Sequence, residues 1–465
     1  MNTPYTEIVN HLRHEFESTQ NSWNLSWRKS QLNSLIKLID EHTDEIAKAL
    51  HDDLGKSSQE GWLTEIGIVR HEAGHALKHI DAWAKGKRHK TPLFLFPASS
   101  YVQPQPFGVA LIISPWNYPF QLLFSPLIAA IAAGNVCILK PSELSPATAQ
   151  LIADLIPKYL DPNAFAVIQG GPDETTLLLK EKFDIIFFTG GTHIAKYITR
   201  AAAEYLTPTI LELGGKSPTV IINCKNLKPA ARKIAFAKYT NAGQTCVAPD
   251  YVLIEEKLKD SFIAELKTAI KEQFGEHGER MGKIINERHY NRLKGLLHSE
   301  SAKDMTLIFG GTCEDERLFI EPTIVEVTPD HPLMQEEIFG PILPILTISA
   351  KDNQRPADAA LKMISAHPTP LACYLFSDDK KDIKPFKRLR CGGFAYNDAL
   401  MHVANIHIPF GGIGTSGMGQ SHGYSGFCAF SHHRAEFIQS GCIDIPFRYP
   451  PYSPKIWNLL KTFMH

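Results

Sequence analysis

The sequence predicts an α/β protein built from two open, mostly parallel sheets with helices on both faces. Three observations predict it. The chain has 465 residues, more than one hydrophobic core usually supports, so at least two domains are expected. From Val109 onward, short apolar runs alternate with segments of helical period, the rhythm of strand–helix–strand units. Runs such as VALII and VCILK are apolar at every position, as strands covered on both faces require.

Residues 5–90 read as mostly helical, with long polar–apolar periodic stretches and few Gly or Pro. LFLFPASSYVQPQPFG (93–108) reads as a hairpin-like stretch, its prolines marking turns or edge strands. GVALIIS is then a buried strand, LLFSPLIAAIAAG a helix and NVCILK a second strand. SPATAQLIADLIPKYL is helical, AFAVIQG and DIIFFTGG are strands, THIAKYITRAAAEYL is a helix, and TPTILELGG and PTVIINC are strands. A second α/β region follows, with helices near 228–241 and 257–274 and strands near 251–255, 343–348 and 372–376. The tail from 405 is rich in Gly, Ser and His and is expected to fold back on something.

Composition narrows the function. With 48 basic against 49 acidic side chains and a net charge of -1, nothing suggests a nucleic-acid partner. The basic run Lys85–Lys90 reads as a solvated connector. Eight cysteines without a C-x-x-C pair argue for free thiols in a reducing, cytoplasmic setting, most of them buried as small apolar residues. The N-terminus is polar and Pro115, Pro119 and Pro126 break the longest apolar region, so neither a signal peptide nor an integral membrane segment is expected.

Three short patterns are decoys. His71-Glu-Ala-Gly-His75 fits the zinc-peptidase helix H-E-x-x-H, but Lys78 and Asp81 stand where the extended form needs Gly and His. No metal is therefore expected. Gly214-Gly-Lys-Ser217 resembles the end of a P-loop, yet Ile210 occupies the required glycine. Gly412-Ile-Gly-Thr-Ser-Gly417 fits G-x-G-x-x-G without a following helix.

Three segments carry chemistry. In Asn241-Ala-Gly-Gln-Thr-Cys246, a cysteine among small and polar residues at a helix edge can sit in a cleft as a nucleophile toward carbonyl carbon. In Leu211-Glu212-Leu-Gly-Gly, a carboxylate at a strand end beside two glycines can swing between solvent and a cleft. In Ser114-Pro-Trp-Asn117-Tyr-Pro, two prolines fix a single amide after a buried strand, as an oxyanion donor requires. Each has a bland alternative when read alone: a structural Cys, a surface Glu, a turn Asn.

Together the segments resemble the aldehyde dehydrogenase superfamily across nearly the whole chain. PWNYP (115–119), KPSE (140–143), FTGG (188–191), LELGGKSP (211–218), NAGQTC (241–246), EEIFGP (336–341) and PFGG (409–412) occur in the family's order. The tail HIPFGGIGTSGMGQSHGYSGFCAFSHHRA, followed by RYPPY, resembles the class 3 and fatty-aldehyde branch.

The resemblance implies a Rossmann-like cofactor domain (1–80 and 104–211), an α/β catalytic domain (212–400), and a bridging β element with the tail (81–103 and 401–465). It implies oxidation of a medium- or long-chain aliphatic or aromatic aldehyde to the acid. Cys246 would be the nucleophile, Glu212 the base that activates water, and Asn117 an oxyanion donor. NAD is the implied cofactor, with NADP also accommodated. Lys140 and Glu143 would lie at the adenosine ribose, Gly190 near the diphosphate, Glu337 at the nicotinamide ribose, and Phe339 and Trp116 beside the ring. Gly191 and Ala195 depart from the family's FTGS and T-x-x-G, which affects the expected phosphate contacts. A homodimer is implied. The competing readings are a non-catalytic relative, disfavoured by the presence of Cys246, Glu212 and Asn117, and a zinc peptidase on His71 and His75.

Overall fold

Every residue of Val109–Ile113 and of Val136–Lys140 is buried, because these strands lie inside a sheet covered on both faces. The computed structural model describes residues 3–298, 303–348, 354–445 and 448–463; the last two residues at either end of the chain lie outside this set. The first sheet runs Gly417–Met418, Thr209–Leu213, Ile185–Gly190, Val109–Ile113, Val136–Lys140 and Phe165–Val167. All neighbours pair in parallel except the short edge strand from the tail.

From Val109–Ile113 the chain first adds strands on one side and then on the other. That reversal opens a crevice at the carboxyl ends of Val109–Ile113 and Ile185–Gly190, the usual ligand position in such sheets. The loop Ser114–Phe120 and the glycines at 190 and 191 flank this crevice.

The second sheet runs Thr306–Phe309, Thr323–Glu326, Ile342–Ile348, Tyr251–Glu255, Pro218–Ile221, Ala372–Phe376 and Gly393–Tyr396. Only its first pair is antiparallel. Each large sheet has its own apolar core, one centred on residues 109–139 and 185–213 with the N-terminal helices, the other between Val220 and Ala399.

Several expectations change. Leu93–Leu95 is a single helical turn rather than a strand. The antiparallel pair is instead Lys87–His89 with Ser99–Pro106, so part of the basic run forms an edge strand. Its side chains are exposed, which is why the segment reads as a solvated connector. The other edge of Ser99–Pro106 pairs along eight residues with Ser431–Ile438. The helix expected to reach 241 ends at Tyr239, because Asn241 and Ala242 take left-handed conformations (φ 54° and 52°). All eight thiols are free, but only Cys137, Cys224 and Cys373 are buried.

Candidate active site

The nucleophile segment is shaped by its backbone. Asn241, Ala242 and Gly243 all have positive φ, a conformation costing non-glycine residues about 1–3 kcal/mol each. At Gly243 a side chain would overlap the Gly340 carbonyl, so this turn packs directly on the Phe339–Pro341 loop. Gln244 braces it, donating to Asn241 O and Lys283 O at 3.0 Å each while Ile285 N donates to its Oε1. Cys246 emerges half-buried from this braced turn.

Asn117 reaches the same turn from the first sheet. It is 2% exposed, and its Nδ2 donates to Gln244 O at 3.0 Å. Its own carbonyl accepts from Asn241 Nδ2 at 2.7 Å and from Lys56 Nζ at 3.0 Å. Tyr118 hydroxyl shares a 2.6 Å hydrogen bond with Thr245. The oxyanion-donor loop and the cysteine loop are therefore one hydrogen-bonded unit.

Beneath them lies a buried ion pair that no sequence pattern announces. Lys56 and Glu65 are both fully buried, with Nζ 2.5 Å from Oε1. Glu65 Oε2 accepts from the backbone N–H of Phe120 and Gln121, and Lys56 Nζ lies 4.0 Å from the Tyr118 ring centre. Lys56→Met leaves Glu65 as an uncompensated buried charge, for which a loss of about 3–5 kcal/mol is expected. Denaturant unfolding checks this; a loss below about 1 kcal/mol would show that the pair is dispensable.

Glu212 sits on strand Thr209–Leu213, opposite Gly417 of the tail. Its carboxyl group lies on the cleft side, away from solvent. Glu212 is 5% exposed, the Ser421 hydroxyl donates to its Oε1, and Thr189 lies 3.4 Å from its Oε2. Burial raises its pKa above the usual carboxylate range, opposed by His422, Ser421 and Thr189. The tail, expected to fold back on something, closes over this carboxyl group.

Glu337 belongs to the same cluster. A side chain at Gly214 would overlap its carboxylate, which explains the glycine after Glu212-Leu213. Burial, then Asp250, push Glu337 up to about 8. Burial also raises the Cys246 thiol pKa well above its ordinary value, with Glu337 and Glu212 adding to the shift. Its thiolate is thus a minor form at neutral pH. Alkylation of Cys246 by iodoacetamide is expected to rise about tenfold per pH unit from 7 to 9 without levelling. Peptide mass spectrometry, with exposed Cys442 as internal reference, measures it; a plateau below pH 8 would contradict the shift.

The remaining predicted residues fall at the crevice mouth. Trp116 meets Phe339 edge-on, ring centres 5.4 Å apart, and Phe339 is held in a left-handed conformation (φ 52°). Lys140 ends its strand with Nζ 3.8 Å from Glu143. Gly190 must be glycine because a side chain would overlap the Phe188 ring. Gly191 precedes helix Thr192–Ala203, and a side-chain carbon there would meet nothing within 4 Å. That open helix N-terminus, with its unpaired N–H groups, fits a dinucleotide diphosphate. Ala195 is buried against the core. On the other side, Glu60 accepts from Asn241 N at 2.7 Å and helps line a cleft of about 930 Å³ with Leu63, Phe236, Thr240 and Met401.

The decoys have structural roles. Lys216 of the P-loop-like segment binds Asp250 and the Leu333 and Glu336 carbonyls within 2.9 Å. His75 packs on the His79 and His407 rings. Among the described residues no group of three His, Cys, Asp or Glu could hold a metal ion, and no helix is long and apolar enough to cross a membrane.

This fold is a two-sheet α/β architecture with a crevice at the strand-order reversal of its first sheet. Residues 5–435 match the family model described as the aldehyde dehydrogenase family. The chain is 45% identical over 453 residues to 4,4'-diaponeurosporen-aldehyde dehydrogenase of Staphylococcus aureus, covering 96% of each chain. It is 41% identical over 465 residues to aldehyde dehydrogenase family 3 member H1 of Arabidopsis thaliana, covering 99% of this chain and 94% of that one. The substrate-bound structure of Staphylococcus aureus AldH superposes with a TM-score of 0.94 at 43% identity over 100% of both chains. The chain belongs to the aldehyde dehydrogenase family. It is an oxidoreductase acting on aldehydes, in a family that uses NAD or NADP.

Proposed function

We propose that the chain oxidises medium- or long-chain aliphatic or aromatic aldehydes to carboxylic acids through a cysteine thiohemiacetal and thioester. The observation that carries this reading is the union of Cys246, Asn117, Glu212 and Glu337 around one braced turn. The Cys246 thiol loses its proton to solvent water and its sulfur bonds to the aldehyde carbon. The resulting oxyanion accepts from the Cys246 backbone N–H and from the Asn117 amide, whose other N–H is held by Gln244. Each such donor contributes roughly 3–4 kcal/mol in comparable sites. Bound NAD, or NADP, supplies the two-electron acceptor for conversion of the thiohemiacetal to the thioester. Glu212 then takes a proton from water as the water oxygen bonds to the acyl carbon, and the carbon–sulfur bond breaks to give the Cys246 thiolate, which takes up the proton of the product acid.

Lys140 and Glu143 would hold the adenosine ribose, Gly190 and Gly191 the diphosphate, and Glu337 the nicotinamide ribose, with Phe339 and Trp116 beside the ring. Glu143 favours NAD by accepting from the 2′-hydroxyl, and Lys140 makes NADP acceptable. On this reading residues 1–80 and 104–211 bind the dinucleotide, 212–400 bear the nucleophile, and 81–103 with 401–465 bridge a homodimer. Eight free thiols accord with a reducing, cytoplasmic setting.

The cleft of about 930 Å³ has the size of a small-molecule site, and the staphylococcal relative's name specifies a diaponeurosporen aldehyde. The name favours a large apolar aldehyde, and the cleft, lined in part by Glu60 and Thr240 beside the cysteine turn, has room for one. NAD(P)H formation with decanal, benzaldehyde and acetaldehyde, using each cofactor in turn, tests the reading. Decanal and benzaldehyde are expected to exceed acetaldehyde in kcat/KM, with NAD preferred. Faster turnover of acetaldehyde would overturn the substrate class, and no turnover of any aldehyde would overturn the enzyme assignment.

A further inference from the structure

One buried carboxyl group has no task in the chemistry above. Glu72, on helix Gly67–Ala84, is 5% exposed, and its Oε1 has no hydrogen-bond partner among the described residues. A buried, unpaired carboxyl oxygen costs several kcal/mol unless something returns that energy. Glu72 lines a small cavity of about 20 Å³, enough for a single water. The polar groups around it are Glu212, Ser421 and His422, Gln121 from helix Gln121–Ala133, and His75 from Glu72's own helix, and apolar side chains including Trp83, Leu122 and Phe187 line the rest. Glu212 thus has two neighbourhoods: Cys246, whose thiol feels its charge, and this cavity.

The reaction needs such an exit. Each thioester hydrolysis leaves one proton of the water on Glu212 and the other on the product acid, which passes it to the departing Cys246 thiolate as the product ionises. A proton that stays on Glu212 can return to the attacking oxygen and reverse the attack, so hydrolysis goes forward only as that proton moves on, yet Glu212 is 5% exposed and covered by the tail. We propose that Glu72 is a proton-relay residue for Glu212: the proton crosses one water in the cavity to the Glu72 carboxylate and leaves to solvent beside half-buried His75. No bond other than O–H bonds changes, and no co-reactant is required. Burial foremost, then His79 and His407, lower the His75 pKa to about 4, so its neutral ring can both accept and donate. Glu72 acts through Glu212, and the proposal rests on Glu212 being the base.

The test follows acyl-enzyme decay directly, by rapid quench and intact-protein mass, in wild type, Glu72→Gln, Glu72→Asp and Glu212→Gln. The isosteric Glu72→Gln adds no buried charge, and its burst of NAD(P)H counts correctly folded sites. Glu72→Gln is expected to keep a full burst but to slow decay about tenfold, with the rate restored in proportion to added imidazole and largely retained in Glu72→Asp. Glu212→Gln decay is expected to be slow with or without imidazole. Normal decay in Glu72→Gln beside a stalled Glu212→Gln would overturn the relay alone, as would a slowed decay that imidazole leaves unchanged. Normal decay in Glu212→Gln would instead overturn the base assignment beneath it.

Discussion

Replacement of Cys246 by Ala is expected to lower NAD(P)H formation by on the order of 10⁴-fold or more, at least about 5.5 kcal/mol of transition-state stabilisation. On the proposed mechanism no second nucleophile can substitute, because the sulfur would form the covalent bond on which both later steps depend. The fold should survive, since Cys246 is only half-buried and the lost atom leaves a small cavity beside solvent. The seven other cysteines serve as controls, as none has the braced left-handed turn of Asn241–Gly243 before it. Steady-state turnover in the alanine variant above about 1% of wild type would remove the thiol from the mechanism.

Glu212→Gln is expected to separate the two halves of the reaction. One equivalent of NAD(P)H should form per site, followed by turnover reduced about 10²- to 10⁴-fold, the range for loss of a general base. The Ser421 hydroxyl can still donate to the glutamine carbonyl oxygen, so the tail should stay closed. In the wild type, burial holds the Glu212 pKa above the ordinary value. The base form is the deprotonated carboxylate, so thioester hydrolysis must fall as pH drops through that raised pKa. The acid limb of acyl-enzyme decay is therefore expected above the normal carboxylate range. A limb at or below pH 4.5, the ordinary value, would mean that the group is solvated during catalysis. Loss of the burst itself in Glu212→Gln would mean that Glu212 acts before the thioester forms.

Much of this molecule is written locally. Apolar runs such as Val109–Ile113, Val136–Lys140 and Ile185–Gly190 need no distant partner to be recognised, because a strand buried on both faces cannot carry polar residues. The same holds for the helices that follow them and for the parallel character of both sheets. The chemistry-bearing segments around Asn117, Glu212 and Cys246 were also visible, since each combines one reactive group with residues that restrict or free the backbone. Where local reading failed, the determinant was an interaction over long sequence separation. Ser99–Pro106 was assigned a neighbour inside its own stretch, but it pairs with Ser431–Ile438 more than 320 residues away, and alternation alone does not name a strand's partner.

The sequence by itself determined the α/β class, the order of the strands along the chain and the identity of the candidate nucleophile, base and oxyanion donor. Only the tertiary structure decided how these are held. The Lys56–Glu65 pair beneath Asn117, the Ser421 hydroxyl on Glu212 and the unpaired Glu72 near it have no local signature. A Lys, a Ser or a Glu in a helix or loop is ordinarily a solvated residue. Burial changes what each can do, and burial is set by the packing of segments that meet only once both sheets and the tail have assembled.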